Sequence, residues 1–145
     1  MITNQRQYGI TKSELVKFEE ALTRQRESAP RPGVHPRIHE AMGDAMESEI
    51  IELRAQLARY DDLRNGRVTQ RELTSLRELP VALIEGRIAA RLTQRDLAER
   101  LGVPAQQVQR WEANSYTGVG LDRLQDVADA LGLKLQETVA YAVAA

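Results

Sequence analysis

The fold is decided by the stretch Leu92-Thr-Gln-Arg-Asp-Leu-Ala-Glu-Arg-Leu-Gly-Val-Pro-Ala-Gln-Gln-Val-Gln-Arg-Trp-Glu112. It predicts two short helices, over 93–101 and 104–113, joined by a turn at Gly102. A three-residue turn that contains glycine is the spacing of a helix-turn-helix, because glycine adopts a left-handed conformation without a Cβ clash. The small Ala98 suits the helix crossing, and its expected apolar partners are Leu97, Leu101, Val103, Val108 and Trp111.

The face of the second helix that stays exposed once these partners are buried carries Ala105, Gln106, Gln109 and Arg110, with Gln107 beside it. Glutamine pairs bidentately with adenine and arginine with guanine, whereas an alanine offers only a methyl contact to thymine. The face has no negative charge. It is therefore suited to reading base edges in a DNA groove.

The same stretch resembles the Cro/phage-repressor family of helix-turn-helix proteins, also called XRE-like regulators. The family signature L-T-Q-x-x-L-A-x-x-L-G-V-x-x-x-x-V-x-x-W-E is filled at each fixed position from Leu92 to Glu112. The resemblance covers about residues 79–135 and does not cover residues 1–66. It implies a DNA-binding fold for the covered part.

The resemblance also implies roles for single residues. Gln94 would clamp a phosphate, and Ala105, Gln106 and Arg110 would face bases, while Gln107 and Gln109 would reach a phosphate or a neighbouring base. Arg87 would form a structural pair with Glu112.

Charge along the chain supports a docking face near the helix-turn-helix. From Arg87 to Arg110 five arginines stand against two acids, whereas from Glu112 to Glu137 five acids stand against two basic residues. The loop 114–120 adds amides and hydroxyls that are suited to backbone phosphate. The expected DNA contacts are therefore Thr93, Gln94, Arg95, Ala105, Gln106, Gln107, Gln109, Arg110, Asn114 and Tyr116.

The N-terminal part has its own helical pattern. The start signal Thr11-x-x-Glu14 predicts a helix over 11–27, and three prolines and a glycine break the chain within 28–36. A longer helix over 37–64 carries a stripe at coiled-coil spacing. We expect this stripe to form a homodimer contact, and the alternative is that it packs within the chain on the first helix. The contact residues are Met46, Ile50, Leu53, Leu57 and Tyr60.

Composition limits the remaining classes. The 145 residues hold 20 Lys+Arg against 21 Asp+Glu, no cysteine and 4% aromatics, and strong helix formers dominate. Apolar runs are far shorter than the roughly 20 residues that span a bilayer, and residues 1–6 do not have the basic-then-apolar pattern expected of a secretion signal. We expect a cytoplasmic protein with no membrane association. We expect no cofactor and no metal, because Pro36 interrupts the His35/His39 pair, and no enzymatic motif is present.

Together these features predict an all-α protein of two parts. Residues 1–66 would be a helical dimerisation or partner-binding region, and residues 67–145 a five-helix DNA-binding domain with helices over 80–91, 93–101, 104–113, 121–131 and 135–142. The predicted function is a homodimeric repressor that binds double-stranded DNA. The alternative is an antitoxin, which would also bind a toxin protein through the first helix and the Pro/Gly break.

Overall fold

A computed structural model describes residues 1–144. The described chain is all helical, with six α-helices, one short 3-10 helix and no strand. The α-helices are α1 (Gln5–Glu27), α2 (Pro36–Arg64), α3 (Leu79–Ala89), α4 (Gln94–Leu101), α5 (Ala105–Ala113) and α6 (Leu121–Ala130), and the 3-10 helix is Leu76–Glu78.

Helix α1 begins six residues before the predicted start. The Asn4 side chain accepts a hydrogen bond from the Gln7 amide at 2.9 Å, and the Gln7 side chain accepts one from the Thr3 amide at 2.8 Å. The first bond satisfies an amide of the first helical turn that has no partner within the helix, and the second ties Thr3, just before the cap, to the same glutamine. Thr11, which the sequence offered as a cap, lies inside the helix and is buried.

Helices α1 and α2 lie antiparallel: residues near the start of α1 contact the end of α2, and residues near the end of α1 contact the first half of α2. Tyr8 Oη donates to Asp61 Oδ2 at 2.9 Å near one end. Arg26 Nη2 donates to Glu47 Oε2 at 2.7 Å near the other end, and the side chains of Leu22 and Gln25 pack over Gly43. The connection between the helices holds Pro30, Pro32 and Gly33, whereas Pro36 is the first residue of α2.

The apolar stripe of α2 is buried within one chain. Ile50, Leu53, Leu57 and Tyr60 are each exposed by 9% or less, and Met46 is half-buried. The ring of Tyr8 on α1 packs against Tyr60 with centroids 5.2 Å apart. These residues are therefore not available to a second chain, and the expected contact surface is corrected to an internal one. A run of apolar side chains predicts burial but does not say which partner buries it.

The N-terminal part and the C-terminal part share one core. Leu57, Tyr60 and Leu63 of α2 join the same buried cluster as the residues of α3 to α6. On the surface of this junction Arg59 makes two hydrogen bonds to the nearly buried carboxylate of Glu85, both 2.8 Å long. The helical pair is thus packed directly against the domain that follows it.

Four of the five helices predicted after residue 79 are present as α3 to α6, and the prediction of the fifth, over 135–142, is wrong. Residues 134–144 have no helical structure. Val139 and Tyr141 are exposed by 70% and 84%, so these side chains are not packed against the rest of residues 1–144. Short helices depend on tertiary packing for their stability, and the β-branched residues of this segment do not favour helix.

No helix among the described residues has the length and apolar character needed to cross a membrane.

Candidate nucleic-acid interface

The start of α4 is fixed by a capping box. Thr93 Oγ1 accepts from the Asp96 amide at 3.0 Å, and the Thr93 amide donates to Asp96 Oδ2 at 2.7 Å. These hydrogen bonds from Thr93 lower the pKa of the Asp96 carboxyl below its ordinary value of 3.8, since they favour the charged form. The cap sets the position from which Gln94 and Arg95 project.

The turn between α4 and α5 has the conformation that its glycine predicts. Gly102 is left-handed, with φ 67° and ψ 31°, and the Val103 amide donates to Ala98 O at 3.0 Å. The two hydrogen bonds that the Gly102 amide makes, to the carbonyls of Ala98 and Glu99, end α4 within one turn. The chain therefore enters α5 at a fixed angle to α4.

Helix α5 has one buried and one exposed side. Val108 and Trp111 lie in the core, which leaves Gln106, Gln109 and Arg110 exposed to solvent. Two further side chains of the predicted reading face, Ala105 and Gln107, are half-buried. The amide and guanidinium groups thus project away from the protein, where a groove of duplex DNA can approach them.

Residues 83–137 match the helix-turn-helix family model. They form a helix-turn-helix domain of the Cro/phage-repressor type. Curated proteins and solved structures gave no match to the chain. The helix-turn-helix family consists of DNA-binding regulators of transcription. With this domain the protein belongs to the general class of DNA-binding transcription regulators. The match excludes α1, α2 and the 3-10 helix.

Within the helix-turn-helix domain a buried ion pair joins α3 to α5. Arg87 Nε and Nη2 donate to the two oxygens of Glu112 at 2.6 and 2.7 Å, and the side chains are only 3% and 1% exposed. Arg87 also donates to the carbonyls of Leu92 at 2.8 Å and Thr3 at 2.5 Å. Four hydrogen bonds therefore hold this guanidinium, as a buried charge requires.

The same glutamate also holds Gln94. Gln94 Nε2 donates to Glu112 Oε2 at 2.8 Å, and the Gln94 side chain is half-buried. The amide that the family resemblance assigns to a phosphate is thus positioned by the buried pair. The amide nitrogen has a second N–H, which can donate to a phosphate while the bond to Glu112 is kept.

The loop after α5 differs from what its sequence indicated. Ser115 and Tyr116 have φ of 54° and 56°, and this left-handed backbone turns Tyr116 into the core. The ring is 3% exposed and stacks on Trp111 with centroids 6.1 Å apart. Burial raises the pKa of the Tyr116 phenol. Tyr116 therefore does not reach a phosphate, and its predicted DNA contact is corrected to a packing role.

Asn114 stays at the surface but is engaged by α5. With its amide oriented to match its neighbours, the nitrogen donates to the carbonyls of Trp111 at 2.9 Å and Arg110 at 3.1 Å. The side chain thus adds hydrogen bonds to carbonyl groups at the end of α5 that also accept from the backbone amides of Asn114 and Tyr116. The amide oxygen remains directed away from these contacts.

A cluster beside α4 that joins Arg91 and Arg95 to two arginines of the N-terminal helices was not predicted. Arg6 of α1, Arg64 of α2 and Arg91 of the connection before α4 line one cleft together with Arg95, and the cleft volume is about 940 Å³. Arg91 Nε donates to Arg64 O at 2.9 Å, which fixes the end of α2 against the helix-turn-helix domain. Arg6 and Arg64 are far in sequence from Arg91 and Arg95, and only the packing of α1 and α2 brings them together.

Proposed function

We propose that the protein is a transcriptional repressor, not an enzyme, and that it binds a two-fold symmetric operator as a homodimer with α5 in the major groove. The exposed Gln106, Gln109 and Arg110 on an otherwise buried helix carry this proposal. These side chains match the donors and acceptors of adenine and guanine edges. The half-buried Ala105 and Gln107 would complete the contact to the groove.

Contacts to phosphates would come from the start of α4. Arg95 is exposed, and the one carboxylate within salt-bridge distance of it in the described residues is that of the exposed Glu99, at 3.2 Å. Thr93 and Gln94 precede it, and Asn114 would approach the backbone from the other end of α5. Phosphate contacts set orientation and affinity rather than sequence preference.

Base reading is tested by replacing Arg110 with alanine. Loss of a bidentate guanine contact costs about 1–3 kcal/mol at one base pair and relaxes the preference there. Affinities for the operator and for a scrambled duplex are measured by fluorescence anisotropy, with Arg31→Ala, an exposed arginine in the α1–α2 connection, as the matched control. An equal loss on both duplexes would refute a base-reading role for Arg110.

The phosphate role of Gln94 predicts a different outcome. Gln94→Ala should weaken binding to operator and scrambled duplex by the same factor, because a phosphate contact carries no sequence information. Since Gln94 also bonds Glu112, the melting temperature of the variant is measured in parallel. A selective loss on the operator alone would contradict the phosphate assignment.

The modest charge of one domain supports the proposed homodimer. Affinity for DNA grows with the number of phosphates neutralised, and the surplus of three positive charges from Arg87 to Arg110 is small. Two copies would contact half-sites about 34–36 Å apart. Sedimentation of the protein on a two-site duplex should give two chains per duplex, and a single bound chain at saturation would contradict the dimer.

Repression is tested with a promoter that carries the selected operator. Expression of the protein should lower the transcript level, and Arg110→Ala should restore it. An increase in transcript would instead indicate activation.

An antitoxin is the alternative, and the exposed apolar side chains on α1 favour testing it. Ile10 and Val16 are about half exposed on this helix, which lies outside the family match. A toxin bound there should co-purify with the protein when the neighbouring reading frame is co-expressed. Recovery of the protein alone would contradict the antitoxin proposal and leave the repressor proposal in place.

A further inference from the structure

The cleft between the N-terminal helices and the start of α4 concentrates positive charge. Arg6, Arg64, Arg91 and Arg95 line it, and we call these four residues the arginine groove. In residues 1–144 no carboxylate lies within salt-bridge distance of Arg6, Arg64 or Arg91. The acid at the edge of the cleft, Glu112, is neutralised by Arg87. The groove therefore has a clear positive excess.

The groove is continuous with the helix-turn-helix domain. Thr93, Gln94 and Gln109 line the same cleft as the arginines. Two contacts hold its N-terminal wall in place, since Arg87 donates to Thr3 O and Arg64 Nη1 donates to Gln5 Oε1 at 3.0 Å. The arginines are thus presented on helices packed against the domain rather than on a free arm.

We propose that the arginine groove binds the phosphate backbone of the DNA strand beyond the part contacted by α4 and α5. This inference rests on the proposed function, because the groove starts at the residues expected to hold a phosphate. A guanidinium group recognises phosphate through paired, charge-assisted hydrogen bonds. Residues 1–66 would then act in DNA binding and not only in assembly.

The test compares salt dependence, because each phosphate that the protein neutralises contributes about −0.9 to the slope of log K against log[salt]. Arg6→Ala is the principal variant, since Arg6 is exposed and makes no side-chain hydrogen bond within residues 1–144. Its matched control is Arg24→Ala, an exposed arginine in the last turn of the same helix. Affinities are measured from 50 to 200 mM salt on operator and scrambled duplexes.

We expect Arg6→Ala to reduce the magnitude of the slope by about 0.9 on both duplexes, with no change in melting temperature. Arg64→Ala should give a similar change, Arg6→Lys should restore most of the slope, and Arg24→Ala should match the wild type. The last comparison separates a local phosphate contact from the general effect of removing one positive charge.

Two results would overturn the inference while leaving the proposed function intact. In the first, the wild-type protein binds the operator, and Arg6→Ala and Arg64→Ala have the same slope of log K against log[salt] as the wild type. The other is an equal slope change for Arg6→Ala and Arg24→Ala. A wild-type protein that binds no duplex would overturn the proposed function and the inference together.

Discussion

Removal of Glu112 should destabilise the protein severely, because it leaves the Arg87 guanidinium buried without its counter-charge. The side chain of Arg87 is 3% exposed, and its two remaining partners, the carbonyls of Leu92 and Thr3, carry no net charge. Breaking a buried ion pair from one side costs about 3–5 kcal/mol. Glu112 also accepts from Gln94, so a further hydrogen bond is lost with it.

Urea denaturation of Glu112→Ala gives the free energy of unfolding directly. For a slope near 2 kcal/mol/M, a loss of about 3–5 kcal/mol moves the midpoint by about 2 M. The control is Glu99→Ala on α4, because the Arg95–Glu99 pair has similar chemistry but side chains 80% and 67% exposed. Exposed pairs of this kind contribute about 0.3–0.5 kcal/mol.

The double variant Arg87→Met/Glu112→Met separates the charge effect from the loss of packing. It should be less destabilised than the sum of the two single changes, because no buried charge remains. A cost for Glu112→Ala as small as that for Glu99→Ala, or strictly additive changes in the double variant, would refute the assignment of this pair as the support of α3, α5 and Gln94.

Three other variants test the packing and the caps. Leu53→Ala should cost about 2–5 kcal/mol in unfolding free energy because Leu53 is 5% exposed, whereas Ile51→Ala, two residues away and 61% exposed, should cost far less; similar values would show that the α2 stripe is not buried. Tyr116→Phe removes a buried hydroxyl that has no hydrogen-bond partner within residues 1–144, so thermal denaturation should show equal or greater stability, and a melting temperature several degrees lower would reveal a partner for that group. Asp96→Asn should lower the melting temperature at neutral pH. This difference should shrink below about pH 4, because the lowered pKa of the Asp96 carboxyl provides stability above pH 3.8 that is lost as the pH falls through the pKa of the folded state. A difference in melting temperature that is constant with pH would contradict the capping box.

The helix-turn-helix was predictable because local chemistry determines it. The Thr93 cap, the left-handed Gly102 and the apolar spacing up to Trp111 each act within a few residues. Together these features predict which side of α5 is exposed. The Arg87–Glu112 pair followed from the family resemblance and is present in the structure.

Features that depend on contacts between residues distant in sequence were harder to predict from the sequence. The spacing of Leu53 and Leu57 fits a second chain or α1 equally well, and only the packing of α1 decides for burial within the chain. The turn of Tyr116 into the core depends on two left-handed residues that are not glycine. The start of α1 could have been found, since Asn4-x-x-Gln7 obeys the same capping rule as the later signal at Thr11.

Selection of duplexes from a random pool tests most directly whether α5 reads DNA sequence. We predict one enriched sequence with two half-sites about 10 base pairs apart, and binding to it about 10³-fold or more tighter than to a scrambled duplex at the same salt concentration. Arg110→Ala should reduce this ratio. A pool that shows no enrichment, with equal affinity for selected and scrambled duplexes, would contradict the account.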